Sequence, residues 1–500
     1  MARYDKKQGW NKTHLFIQKS LDKINKDIPK KNKSIIITDF GSHHFSNANF
    51  IIANSLRENG FDVKIRPLSE CKPATPDYWL VSILTVQQYL DIPKFFKKIN
   101  KNPIREKRDD KTIFIAGGYP LGSNPEPIAD FFDLIGIGEY DDIGDMIEDD
   151  TQFYRPSEYD VNYEEDGSVK DTNQPKIKKR FVSEFTSDPQ LMYGKFFQTE
   201  ISRGCKNKCP YCQLGWGRPY REVDKTKFFN IARKIRNFKS NKFNPWSSDL
   251  FGVSYIKEFM EFSEKYNIKT DFGSVCLNRI KEIDKIRGSV NLRIGVEGIS
   301  ERLRMILKGK KITNDELIED IRFGIEEKNI GTIKLFFMYN YPTEDKDDIY
   351  NHKEFLMGLR SIKKRFVLSL KYTPIQPLPQ TPFQFNKFVE TFDNLIMIKE
   401  IDGEIKGMEK NYSKVQRFSF PDTRAFFTAL ERGGRYWSDI LLKKPNKDNW
   451  KELITHIINP QKLLDYRKYE NIEPWDFIDV GFSKRQLYEI YKKRNGIKGV

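Results

Sequence analysis

Residues 200–215 read Glu200-Ile-Ser-Arg-Gly-Cys205-Lys-Asn-Lys-Cys209-Pro-Tyr-Cys212-Gln-Leu-Gly. Three of the chain's five cysteines fall within eight residues, spaced C-x3-C-x2-C. Three thiolates at this spacing can hold three irons of a cubane cluster and leave the fourth iron open. A structural zinc would need a fourth protein ligand, supplied by a remote residue. His44 and His352 are distant in sequence. Five cysteines in 500 residues exclude a disulfide framework. Tyr211, next to the last cysteine, offers an aromatic wall.

The cysteine loop follows a strand predicted over 196–201. Further strands are expected at 250–254, 270–272, 292–296, 332–338 and 367–372. Helices are expected between them at 226–238, 255–265, 279–286, 314–328 and 347–359. Six such units predict a parallel sheet curled into a partial (β/α)6 barrel over residues 191–400, with its chemistry at the carboxyl ends of the strands.

Upstream, residues 34–150 show the same alternation. Strands are expected at 34–39, 62–67, 77–84, 111–118 and 133–139, with helices at 50–59, around Phe95-Phe96 and at 143–147. The pattern predicts an α/β fold, a Rossmann-like doubly wound domain whose ligands sit at the strands' carboxyl ends. Those ends are Asp39-Phe-Gly-Ser-His-His, Ser82, Gly117-Gly118 and Gly136-Ile-Gly138-Glu139. Such glycines either let a backbone approach a large ligand or make strand-to-helix turns. Residues 151–190 read as an ordered connector, with a small hairpin turning at Asp166-Gly167. Residues 401–500 lose the alternation and read as a helical C-terminal domain, with helices at 425–432, 437–442, 450–457, 460–466 and 484–493.

Residues 1–33 form a basic leader with ten Lys/Arg against three Asp, read as a surface helix or as an arm for a polyanion. The whole chain carries 86 Lys+Arg against 70 Asp+Glu, a net charge of +16. That charge is spread along the sequence, so it suggests a polyanionic partner at most. Hydrophobic residues at 38% and aromatics at 14% supply sizeable cores. No apolar run approaches a membrane span and the start has no signal-peptide core, so a soluble, cytoplasmic protein is expected. Cys71 and Cys276 are isolated and read as inert thiols. Cys276, near a barrel-strand end, also admits a role as radical relay or methyl carrier.

The cysteine motif, with an aromatic before the third cysteine, resembles the signature of the radical S-adenosylmethionine (SAM) superfamily. The resemblance implies that Cys205, Cys209 and Cys212 bind a 4Fe–4S cluster whose open iron chelates SAM. Reductive cleavage then yields a 5′-deoxyadenosyl radical. Ile294-Gly-Val-Glu297-Gly-Ile-Ser300-Glu-Arg-Leu-Arg304 resembles the family's fourth-strand motif. It implies a ribose contact for Glu297, and SAM contacts for Ser300 and Arg304. Phe337-Met-Tyr-Asn-Tyr-Pro-Thr-Glu344 resembles the fifth-strand end that packs on adenine. The usual Gly-Gly-Glu after the second strand is absent. Ser247-Ser248-Asp249 occupies that region, and Ser248 is taken as the cofactor contact there.

The resemblance extends to a poorly characterised subgroup that carries a cobalamin-binding domain. It rests on Arg218-Pro-Tyr-Arg-Glu222, Thr381-Pro-Phe-Gln384, Arg432-Gly-Gly-Arg435 and Pro474-Trp-Asp-Phe-Ile-Asp-Val-Gly481. It implies cofactor contacts for Gly117, Gly118, Gly136, Gly138 and Glu139. The D-x-H-x-x-G motif that gives a histidine to cobalt is absent, so cobalamin is an optional third cofactor. The implied activity is radical methylation of an unknown substrate, served by a flavodoxin- or ferredoxin-type electron donor. The competing readings are a cobalamin-free enzyme modifying RNA, for example by methylthiolation, and a non-catalytic nucleic-acid-binding protein with a structural metal site.

Overall fold

The computed structural model describes residues 30–40, 47–164, 168–185, 190–192, 196–235, 242–270, 274–276, 279–282, 291–328, 330–405 and 412–496. Most of the basic leader, His43, His44 and the hairpin turn at Asp166-Gly167 lie outside these residues. The chain divides into two units. The first comprises residues 1–186 and 426–484, and the second residues 187–425 and 485–500. Among the described residues no helix is long and apolar enough to cross a membrane.

The first unit is built on five parallel strands: β1 (Ser34–Asp39), β2 (Asp62–Pro67), β3 (Tyr78–Ser82), β4 (Ile113–Gly117) and β5 (Leu134–Ile135). Their order is β2-β1-β3-β4-β5, so the direction of winding reverses between β1 and β3. In open α/β sheets a crevice for ligands opens at that reversal. β1 is an interior strand, paired with β2 and β3, and its apolar run is buried, as a strand covered on both faces requires. The helix Asn47–Glu58 packs Phe50, Ala53 and Leu56 on one side of the sheet. On the other, Trp79 donates from Nε1 to Thr38 Oγ1 at 2.9 Å and packs on Phe95 and Phe114.

The expectation of a separate helical domain over 401–500 is corrected. Residues 412–418 form a strand of the second unit, residues 426–484 belong to the first unit, and 485–500 return to the second. The helices at Pro421–Glu431, Trp437–Leu442 and Trp450–Ile454 are too short to bury their own apolar faces. Leu430, Trp437, Ile440 and Trp450 are fully buried within the first unit. A polar network fixes the segment. Asn124 Nδ2 donates to the carbonyls of Glu431 and Gly433 at 2.8 Å each. Arg435 pairs with the buried Glu126 at 3.1 Å and donates to the Tyr154 hydroxyl at 2.9 Å. The connector at 151–190 also belongs to the first unit through residue 186. There Ile177–Lys178 pairs in parallel with Ile478–Asp479.

In the second unit the first barrel strand is Phe196–Glu200, flanked by the second, Lys242–Trp246. A strand expected at 250–254 is instead a single 3-10 turn, Leu250–Gly252, feeding the helix Ile256–Lys265. Short pieces at Lys269–Thr270 and Ser274–Cys276 stand for the third strand. The fourth (Asn291–Gly298), fifth (Thr332–Tyr339), sixth (Phe366–Pro374) and a seventh (Tyr412–Phe418) follow in parallel register. Alternate residues Ile333, Leu335, Phe337 and Leu368, Leu370, Tyr372 are buried. The residues between them on the same strands are half-buried or exposed. One sheet face is thus packed and the other open.

Arg435→Ala leaves the Glu126 carboxylate buried without its cation. It is expected to lower the stability of the first unit by about 3–5 kcal/mol, read from its transition in urea. A loss below about 1 kcal/mol would show that the pair holds nothing in place.

Candidate functional site

The cysteine loop is pinned at its base by a two-stranded antiparallel ladder, Ser202–Arg203 with Arg221–Glu222. Gly204 opens the loop at φ +74°, and a Cβ there would lie 2.5 Å from the Pro219 carbonyl oxygen. Only glycine meets both demands. Cys212 caps the short helix Gln213–Trp216. Trp216 Nε1 donates to the Cys209 carbonyl at 2.9 Å. The exit loop after the sixth strand locks the other side. The Phe383 amide donates to the Pro210 carbonyl at 2.9 Å, and Gln213 Nε2 to the Pro379 carbonyl at 3.0 Å. Thr381-Pro-Phe-Gln384 is therefore a brace for the cysteine loop.

Among the described residues no three His, Cys, Asp or Glu side chains converge on a single-ion position. Two of the sulphurs instead meet a polar cluster centred on Asn207. Asn207, inside the first cysteine interval, donates from Nδ2 to Asp249 Oδ2 at 2.9 Å and to Cys276 Sγ at 3.0 Å, and lies 3.5 Å from Cys205 Sγ. Asp249 is buried and its Oδ1 has no hydrogen-bond partner. Burial and the neighbouring Cys209 push the Cys212 thiol up to about 12. Burial pushes Cys276 to about 12 as well, although Lys308 opposes the rise.

The fourth strand supplies the opposite wall. Its register shifts between Gly295 and Glu297, and Glu297 adopts φ +70°. The bulge turns the Glu297 carboxylate back over Gly295, where a Cβ would lie 2.2 Å from Oε1. Lys308, the last residue of the helix Glu301–Lys308, reaches Glu297 Oε1 at 3.4 Å. Burial works against its charge, but Glu297, Cys209 and Cys276 together hold the ammonium above its ordinary range. Tyr211 is buried beside Cys209 and Glu297.

The structure therefore gathers Cys205, Cys209, Cys212, Tyr211 and Glu297. Two residues of the fourth-strand motif have structural duties instead. Ser300 caps the helix by accepting from the Leu303 amide and donates to Asp348. The fully buried Arg304 donates to the Ile312 carbonyl and to Asn314 Oδ1. These bonds engage both side chains within the chain's own structure. Ser248 is half-buried, between Ser247 and Asp249. Sequence reasoning missed Asn207, Asp249 and Lys308. One signal was available: Lys308 lies four residues after Arg304, on the same face of one helix. Cys276, read as an inert thiol that also admits a role as radical relay or methyl carrier, pairs with Gly295 in register and accepts from Asn207. Cys71 is buried against Thr38.

In the first unit the expected cofactor glycines divide. A Cβ on Gly118, at φ +138°, would lie 1.8 Å from the Ile83 carbonyl oxygen. On Gly138, at φ +121°, it would lie 2.2 Å from that of Arg180. Gly136 is covered by the Tyr140 ring, and Glu139 accepts from the Val182 amide at 3.2 Å. These four positions are each in contact with the chain's own residues. Gly117 alone faces open space, at the carboxyl end of β4.

Residues 66–159 match the family described as radical SAM proteins, N-terminal. An uncharacterised protein of Methanocaldococcus jannaschii, MJ0966, is 26% identical over 362 residues, covering 69% of this chain and 75% of that one. Among solved structures, the radical SAM methyltransferase TsrM from Kitasatospora setae, with cobalamin and a 4Fe–4S cluster bound, superposes with a TM-score of 0.46. It shares 12% identity over 68% of this chain and 72% of its own. SuiB of Streptococcus suis superposes with a TM-score of 0.32 and 14% identity, over 45% of this chain and 51% of its own.

Glu344, at the end of the fifth strand, is pushed up to about 8 by burial, against an ordinary 4.5. Between those values the folded chain holds a proton that the unfolded chain has lost, so stability falls as pH rises from about 5 to 8. Glu344→Gln is expected to flatten that fall in unfolding measured across the window. An unchanged slope would rule Glu344 out as its source.

Proposed function

We propose that this chain, whose residues 66–159 match a family of radical SAM proteins, is a radical SAM enzyme that cleaves SAM reductively and methylates a substrate carbon. The observation that supports the reading most is the cysteine loop. Three thiols on one braced loop, at the carboxyl end of the first barrel strand, lie near a half-buried carboxylate–ammonium pair. This donor set suits a 4Fe–4S cluster held by Cys205, Cys209 and Cys212. The cluster with SAM would supply a 5′-deoxyadenosyl radical.

The protein's own work is positioning and exclusion of water. Asp249 offers an unpartnered carboxylate oxygen beside Asn207, suited to the ammonium of SAM. It takes the place expected for Ser248. Glu297 offers a carboxylate to ribose hydroxyls, and Lys308 pairs with that carboxylate at 3.4 Å. Tyr211 closes the wall behind Cys209. A corrinoid bound over the carboxyl ends of β1, β3 and β4 in the first unit would supply the methyl group. Gly117 leaves room for it, and the β5 edge is already filled by residues 180–182. A small reducing protein of flavodoxin or ferredoxin type completes the scheme.

The test is anaerobic reconstitution followed by reduction with SAM. Protein holding a full cluster should release 5′-deoxyadenosine, and cysteine-to-alanine changes at 205, 209 or 212 should abolish both cluster and product. A loaded cluster that yields no product with any reductant defeats the reading. Asp249→Ala is expected to weaken SAM binding about 10- to 100-fold, measured by equilibrium dialysis, with iron content unchanged. Cobalamin retained by protein from cobalamin-fed cells would support methyl transfer. Its absence would favour a cobalamin-free reaction such as methylthiolation.

A further inference from the structure

The open face of the second unit's parallel sheet carries cations side by side on neighbouring strands. Arg293 of the fourth strand lies directly opposite Lys334 of the fifth. Lys371 of the sixth lies opposite Arg417 of the seventh. Phe336, two residues beyond Lys334, is opposite Lys371, and both ammonium groups sit over its ring, at 5.2 and 5.8 Å. Adjacent strands are about 4.8 Å apart, so the four charges cross three inter-strand gaps in one diagonal row. Like charges directly opposite one another weaken a sheet. Lys334, Lys371 and Arg417 have no carboxylate partner among the described residues. Burial and the neighbouring cations hold both lysines below their ordinary range.

The face is also reachable. Val367 and Val415, on the same side of the sixth and seventh strands, are 36% and 47% exposed. The opposite side of these strands is packed with Leu368, Leu370 and Tyr372. A solvent-open sheet face would ordinarily intersperse its cations with acidic side chains. This one presents a ring framed by lysines and then an arginine. That arrangement repels itself when empty and is relieved by an anion with several oxygens.

We infer that this face binds a phosphate-bearing ligand, held by Lys334, Lys371 and Arg417 with Phe336 against its apolar part. As a statement about the substrate, the inference rests on the radical SAM reading above. As a statement about binding, it does not, and the two can be tested apart.

The experiment titrates the full chain with a labelled single-stranded RNA oligonucleotide, with AMP and with inorganic phosphate, at several salt concentrations. The wild type is expected to bind at least one of them with affinity that falls steeply with salt. Lys334→Gln, Lys371→Gln and Arg417→Gln should each lower affinity and reduce the salt slope for RNA by about one. Lys257→Gln with Lys265→Gln, on the outer helix Ile256–Lys265, should leave both unchanged. Binding of RNA alone identifies a phosphodiester chain, and equal competition by AMP identifies a small phosphorylated molecule. Thermal unfolding accompanies each variant. Removing a self-repelling charge should not lower the melting temperature, and a marked loss would make the lysine structural and overturn the inference. Unchanged affinity and slope in all three variants would overturn it too. Iron content and 5′-deoxyadenosine release on the same wild-type preparation separate the outcomes. Full cluster chemistry with no phosphate binding removes only this inference. Phosphate binding with no cluster removes only the radical reading.

Discussion

The second unit is organised around one backbone irregularity, the left-handed conformation of Glu297 inside a parallel strand. A non-glycine residue there carries a steric penalty of roughly 1–3 kcal/mol, which the surroundings must offset. Gly295 leaves the space that the carboxylate enters, and Gly298 lets the following helix approach to where a Cβ would lie 2.3 Å from the Arg304 amide nitrogen. That helix then delivers Lys308 to the carboxylate from its last turn. Ser300 and Arg304 belong to the same construction. One caps the helix, and the other ties it to the loop at Ile312–Asn314. The motif is conspicuous in sequence because the bulge and the helix after it use nearly all of it.

This explains which parts of the site were legible. The cysteines, Tyr211 and Glu297 stand in short motifs whose residue types follow from the chemistry. Asn207 and Asp249 come together only through the fold, 42 residues apart in sequence. Cys276 reaches Asn207 from another strand, 69 residues away. No spacing rule in one sequence links such positions. Which of Ser247, Ser248 and Asp249 turns a side chain toward Asn207 is set by the loop's backbone, and that is not written in the order of the residues.

The fold was legible where apolar runs were long. β1 and the fifth and sixth barrel strands lie close to where periodicity predicts them. The second barrel strand, Lys242–Trp246, was missed because it is short, carries Pro245 and has few apolar residues. The apolar stretch at Leu250 took its place in the reading, yet it forms one turn that buries Leu250 and Phe251. The seventh strand, Tyr412–Phe418, alternates in period two, but it sits among helical stretches that claimed the whole region. The doubly wound sheet was expected correctly, and of its carboxyl-edge glycines Gly118 and Gly138 allow close approach by the chain's own backbone.

The way the last 75 residues are shared has a consequence for biosynthesis. The first unit lacks Trp437, Trp450 and the Arg435 partner of Glu126 until residue 484 has been made. The barrel unit is completed by the helix Lys484–Asn495. There Tyr491 packs on Phe385, and Arg494 stands where a Gly309 Cβ would be. Each unit therefore receives its last elements only near the end of translation, the first up to residue 484 and the second with the helix that follows. For most of synthesis the places that Trp437 and Trp450 fill, and the face of Phe385 that Tyr491 covers, are open to solvent. The two units are thus completed together, in contrast to domains that are finished one after the other.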